Sequence, residues 1–104
     1  MSNPWPFADP PETPVLTTRE VAEEHRAPTF VRHDADDGSW QIHVGEGLYS
    51  PDDARVTTLH AATQLDATLL ELAGLPAGWV AVRNAPGNPW RRLPQEEWDR
   101  LHGG

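Results

Sequence analysis

The stretch Thr29-Phe30-Val31-Arg32-His33-Asp34-Ala35-Asp36-Asp37-Gly38-Ser39-Trp40-Gln41-Ile42-His43-Val44 decides the fold class of this chain. Two runs of β-branched and aromatic residues flank Asp37-Gly38, the strongest short signal for a β-hairpin. With Asp37 and Gly38 as the two central turn residues, Asp36 faces Ser39, Asp34 faces Gln41 and Arg32 faces His43. Val31 then faces Val44, His33 faces Ile42 and Ala35 faces Trp40. One face is polar throughout, and the other carries Val31, Ala35, Trp40, Ile42 and Val44 with His33 among them. A slip of one residue would scramble that segregation, so the pattern itself selects the register. A longer turn spanning the acidic run is also compatible with it.

On the N-terminal side, residues 1–14 hold five of the eleven prolines. Proline fixes φ and removes a donor, which predicts a disordered, extended tail over 1–14 and one α+β domain over 15–104. Trp5 and Phe7 within it leave three readings open: docking on the domain, idle exposure, or an anchor for a partner. Thr17-Thr18-Arg19-Glu20 has the form of a capping box and predicts a helix from Thr17 to about His25 or Arg26, ending before Pro28.

On the C-terminal side, Gly45-Glu46-Gly47 breaks the strand and Ser50-Pro51-Asp52-Asp53 reads as a capped helical turn. Arg55 to Leu59 is a short β-branched strand. Asp66 caps a helix that stops at Gly74, with Leu65, Leu69 and Leu72 on its inner face. Trp79 to Arg83 is a fourth strand and 85–89 a loop. Pro94 opens a terminal helix with Glu96 and Glu97 in its first turn and Trp98 and Leu101 as its apolar stripe. The expected class is α+β: a small antiparallel sheet of about four strands with helices packed on one face.

The bulk numbers bound the function. The chain has 104 residues, no cysteine, and a formal net charge of −8 from sixteen carboxylates against eight basic groups, all arginine. That length allows one core, to which the five tryptophans are the obvious contributors. Without cysteine there is neither a disulfide framework nor a thiolate metal site. The N-terminus lacks the basic and apolar regions of a secretory signal, and no apolar run approaches a membrane span, so a cytoplasmic protein is expected. Residues 1–71 carry thirteen acids and four arginines, and residues 72–104 three acids and four arginines. Such a balance repels phosphate, which argues against nucleic acid and anionic membranes as partners. It suits solubility, and equally a surface matched to a basic protein partner.

Chemistry-bearing constellations are few. Asp34, Asp36 and Asp37 do not have calcium-loop spacing: counted from Asp34, glycine falls fifth and the twelfth residue is Gly45. The histidines (His25, His33, His43, His60, His102) lack metal-ligand spacing, and no cofactor is implied. There is no nucleophile elbow, P-loop or dinucleotide fingerprint. Arg32, Asp34, Gln41 and His43 would share the polar sheet face, an acid–base group with a carboxylate and a cation, from which a small hydrolase or transferase could be built. Trp90-Arg91-Arg92 has the composition of a binding hot spot, whereas a buried Trp90 would make it core.

Asp37-Gly38-Ser39-Trp40-Gln41-Ile42, then Gly45, then Leu75-Pro76-Ala77-Gly78 and Arg83, resembles a family of short bacterial proteins of uncharacterised role. The shared pattern is an acid-Gly-x-Trp strand, a glycine turn, and a Pro-x-Gly segment before an arginine; related members are immunity proteins of polymorphic toxin systems. The likeness covers about residues 28–92. It departs at Ile42, where the family more often has an aromatic, and it supplies no catalytic residue. It implies a binding protein that blocks a toxin. The functional expectation is a non-enzymatic protein-interaction module, with Asp34, Asp36, Asp37, Trp90, Arg91 and Arg92 as candidate binding residues. The alternative is an enzyme using Arg32, Asp34 and His43.

Overall fold

Six short segments build one mixed sheet in the computed structural model, which describes residues 5–44 and 51–101. The strands are β1 (Pro14–Thr18), β2 (Phe30–His33), β3 (Trp40–His43), β4 (Ala54–Thr58), β5 (Trp79–Val82) and β6 (Arg91–Pro94). They lie in the order β4-β1-β3-β2-β5-β6. Every neighbouring pair is antiparallel except β1 with β3. Three short helices, α1 (Arg19–Ala22), α2 (Leu59–Leu65) and α3 (Gln95–Leu101), and 3-10 turns at Pro51–Asp53 and Ala67–Leu72 complete the fold. The class is α+β, with six strands where about four are expected. The glycine turn at Gly45-Glu46-Gly47, Ser50 and His102 lie outside the described residues.

The hairpin forms, but its register differs from the two-residue turn by two positions. Arg32 pairs with Gln41 and His33 with Trp40, and Asp34 N donates to Ser39 O at 2.8 Å. The loop is therefore the longer one, Ala35-Asp36-Asp37-Gly38. Carboxylates stabilise it from within: Asp34 Oδ1 accepts from Asp36 N at 2.8 Å and Asp37 Oδ1 from Ser39 N at 2.9 Å. Gly38 supplies the left-handed residue at φ 72°. A shift of two residues leaves every side chain on its expected face.

Thr18, not Thr17, stands at the N-cap position of α1, with no capping bond from its side chain, and Pro14–Thr18 is strand. The Ala67–Leu72 turn replaces the helix expected after Asp66, whose Oδ1 accepts from Thr68 N at 3.0 Å. Leu69 and Leu72 are buried there as expected, whereas Leu65 is half-buried. Three elements are additional: β1, α2, capped by Thr58 Oγ1 accepting from Ala61 N, and β6.

One core layer joins Val15, Val31, Trp40, Ile42 and Ala81 of the sheet to Leu59, Ala62, Leu69 and Leu72. Adjacent residues of a strand point to opposite faces, so Phe30 and Arg32 turn the other way, toward α3. Trp98 packs on Phe30 with ring centroids 5.3 Å apart, and Asp99 pairs with Arg32. Helices thus cover both faces, which corrects the expectation of one covered face. Leu101 is exposed and forms no stripe with Trp98.

The expected tail is also corrected for residues 5–14; residues 1–4 lie outside the described ones. Phe7 is buried edge-on against Trp40, with centroids 5.4 Å apart. Trp40 Nε1 donates to Asp9 Oδ2 at 2.8 Å and Trp5 Nε1 to the Asp9 carbonyl at 2.7 Å. Two ring donors and one phenyl payload suffice to hold a proline-rich arm on the core.

Candidate functional site

The polar constellation on β2 and β3 assembles only in part: Gln41 pairs with Arg32 across the ladder and its Oε1 lies 3.4 Å from His43 Nε2, but the charged members are engaged elsewhere. Arg32 is held by Asp99, with Nη1 and Oδ1 3.2 Å apart. The Asp34 carboxylate turns into its own loop. His43 is 1 % exposed, its ring centroid 5.7 Å from that of Phe30. Burial lowers its pKa to about 4 despite the opposing pull of Glu20, so it is neutral at physiological pH. Arg32 and His43 no longer face each other across the ladder: Arg32 faces Gln41, and His43 faces Phe30. His33 lies on the opposite face, stacked on Trp40 at 3.9 Å with Nδ1 2.7 Å from the Leu75 carbonyl.

Trp90 is core, only 7 % exposed, which corrects its place among the binding residues. It lies over Arg83, the one arginine buried among the described residues. Arg83 donates to Asp66, to the Pro28 carbonyl through Nε (3.1 Å) and Nη2 (2.8 Å), and to Thr68 Oγ1 (3.0 Å). Thr68 Oγ1 accepts a second bond from Trp90 Nε1 (3.1 Å) and donates to Asp66 Oδ1 (2.7 Å), which fills its capacity. Burial works to raise the Asp66 carboxyl, but the bonds from Thr68 and Arg83 outweigh it and hold the pKa below the usual range. The network ties the entry of β2 to the exit of β5 and is structural. Arg91 and Arg92 are exposed beside it, and Arg92 Nη2 donates to the Glu71 carbonyl at 2.9 Å.

What the topology does bring together is negative charge. The turn bearing Asp34, Asp36 and Asp37 leaves the sheet at the ends of β2 and β3 formed by His33 and Trp40. Val15 pairs with Trp40, which sets Glu12 beyond the same end. Trp79 pairs with both His33 and Pro94, which sets Glu96 and Glu97, opening α3, there too. Six carboxylates from three stretches of sequence therefore line one end of a sheet about 24 Å wide at the usual strand spacing. The one arginine on those three stretches is Arg100, in the last turn of α3. Four of the eight arginines are engaged elsewhere in ion pairs: Arg19 with Glu24 and Asp53, Arg32 with Asp99, Arg55 with Glu23 and Arg83 with Asp66. Only the Asp34–Asp37 part of this rim stands out in the sequence; Glu12, Glu96 and Glu97 join it through strand pairing that no local pattern announces.

Among the described residues no group of three or more His, Asp or Glu side chains is placed to hold a metal ion. None of the helices among them is long and apolar enough to cross a membrane. No family model, no curated protein and no solved structure matches the chain.

Proposed function

We propose that the chain is a non-enzymatic protein-binding module that covers a basic surface of another protein with the acidic end of its sheet. The immunity-type role implied by the sequence resemblance is the specific form this takes. The observation that supports it is the rim of Glu12, Asp34, Asp36, Asp37, Glu96 and Glu97, on elements whose one arginine, Arg100, stands in the last turn of α3. Such a one-signed surface accelerates encounter with an oppositely charged partner and discriminates against like-charged ones. The residues that could have served catalysis are instead engaged in the fold: Arg32 in an ion pair, His43 by burial, and Asp34 in its own turn.

The test is capture from a lysate of the native cell at low and high salt, comparing the natural chain with the triple variant Glu12→Lys, Asp36→Lys, Glu96→Lys. These three positions are exposed and make no bond on which the hairpin turn depends. A basic protein retained at low salt, shed at high salt and lost by the variant supports the reading. Equal capture by both proteins, or no basic protein among those retained, counts against it.

A further inference from the structure

The strand β4 forms one edge of the sheet, and its pairing shows which of its backbone groups point outward. Leu59 N donates to Thr13 O at 3.0 Å, continuing the register in which Thr57 faces Val15 and Arg55 faces Thr17. Hydrogen-bonded pairs alternate along an antiparallel ladder. Arg55 and Thr57 therefore bond to β1, and the N–H and C=O of Val56 point away from the sheet. The Val56 side chain is 71 % exposed. The Ala54 carbonyl, the next outward group, accepts from Arg55 Nη1 at 2.9 Å, which narrows the open edge to Val56 and Thr58.

A cleft of about 290 Å³ runs beside this edge between α1 and α2, lined by Val21, Ala22, Thr57, Ala61 and Leu65 among others. Its walls are mostly apolar. The surroundings are acidic: Asp52 and Asp53 precede β4, Glu23 and Glu24 follow α1, and Glu12 lies beside Thr58. Three of these five carboxylates are themselves paired, Glu24 and Asp53 with Arg19 and Glu23 with Arg55; with Arg26 also nearby, the surroundings carry five acids against three arginines and stay net negative. The opposite edge is protected by contrast, since β6 carries Arg91, Arg92 and Pro94.

We propose that β4 is a docking edge that takes an extended, basic segment of a partner protein as a seventh strand. The backbone of Val56 supplies the pairing, the α1–α2 cleft receives an apolar side chain of the added strand, and the net negative charge around the edge favours basic residues beside it. Main-chain bonds with pockets for alternate side chains are the general form of strand addition. A second copy of this chain fits less well. Antiparallel self-pairing about Val56 would bring Asp53 of one copy toward the Thr58 end and Glu12 of the other, like charge on like charge. The proposal rests on the protein-binding reading above and gives its partner a conformation and a place.

Two synthetic octapeptides of equal charge test it: alternating Arg-Val, and the same peptide with proline at alternate valines, which cannot form a strand. The expected result is binding of the first at least about tenfold tighter than the second, with slowed amide exchange at Val56. The variant Val56→Pro removes the outward N–H and no bond to β1, a position where an edge strand tolerates proline; it should abolish the difference. Ala61→Trp, filling the cleft from an exposed helical position, should do the same and serves if the proline variant fails to fold. Equal binding of the two peptides would overturn the docking edge while leaving charge-driven association standing. Binding of neither at low salt would overturn both readings. A stable dimer of the natural chain that Val56→Pro dissolves would put a second copy on the edge and overturn the basic segment.

Discussion

Arg83 lies against the face of Trp90, its guanidinium carbon 4.2 Å from the ring centroid, while the same group donates to Asp66, Thr68 and the Pro28 carbonyl. Removing one member of such a buried pair leaves the other uncompensated. Asp66→Ala is expected to destabilise the fold by about 3–5 kcal/mol. Arg83→Lys is expected to cost about 2 kcal/mol, because a single ammonium cannot reach three acceptors and lie flat on the indole. Urea unfolding of both variants measures this; unchanged midpoints would show the network to be ornamental.

Protonation of His43 links stability to pH. Its folded pKa is lowered from 6.5 to about 4 by burial, so the unfolded chain binds the proton more readily. The stability it contributes is present above pH 6.5 and is lost as pH falls from 6.5 toward 4, by about 3 kcal/mol in all. Asp66, whose pKa is also lowered, adds a loss only at still lower pH. Thermal melts between pH 7 and pH 4 should show the drop for the natural chain and a flatter profile for His43→Leu. Parallel profiles would assign the acid loss to other groups.

The docked arm makes a prediction that a disordered tail would not. Phe7 is buried among Trp40 and its neighbours, so Phe7→Ala should destabilise by about 3 kcal/mol or more. Asp9→Ala should cost about 1–3 kcal/mol by leaving the Trp40 indole N–H without its acceptor. Calorimetry decides: two variants indistinguishable from the natural chain would mean that the arm contributes nothing to folding.

These elements differ in how far sequence could announce them. The hairpin was legible because Val31, Trp40 and Ile42 alternate with polar residues, and the two-residue uncertainty in its turn cost nothing in face assignment. β1 was hidden by its own capping signal: Thr17 and Thr18 read as a helix start, while Val15 and Thr17 are needed to bridge β3 to β4. β6 carries Arg91 and Arg92 beside Pro94, a residue sheets confine to edges and strand ends, so no run of β-branched residues marks it. Burial of Trp90 depends on Thr68 and Arg83, which are brought to it by the fold from distant positions. The acidic rim follows the same logic, because Glu12 and Glu96 become neighbours of the Asp34–Asp37 turn only through the order of strands.

Gly38 and Gly74 separate two roles of glycine. At Gly38 a Cβ would meet nothing within 4 Å, but φ is 72°. Substitution there is penalised by backbone conformation alone, and Gly38→Ala should cost about 1–2 kcal/mol. Gly74 has equally open surroundings and no left-handed φ. Gly74→Ala should therefore stabilise by about 0.4–1 kcal/mol, by restricting the unfolded chain. Guanidinium melts of the two variants should move in opposite directions. If both moved downward by the same amount, Gly74 would be held by a constraint other than backbone geometry; if neither moved, the acidic turn would be able to re-form around alanine, and its shape would rest on the Asp34 and Asp37 bonds.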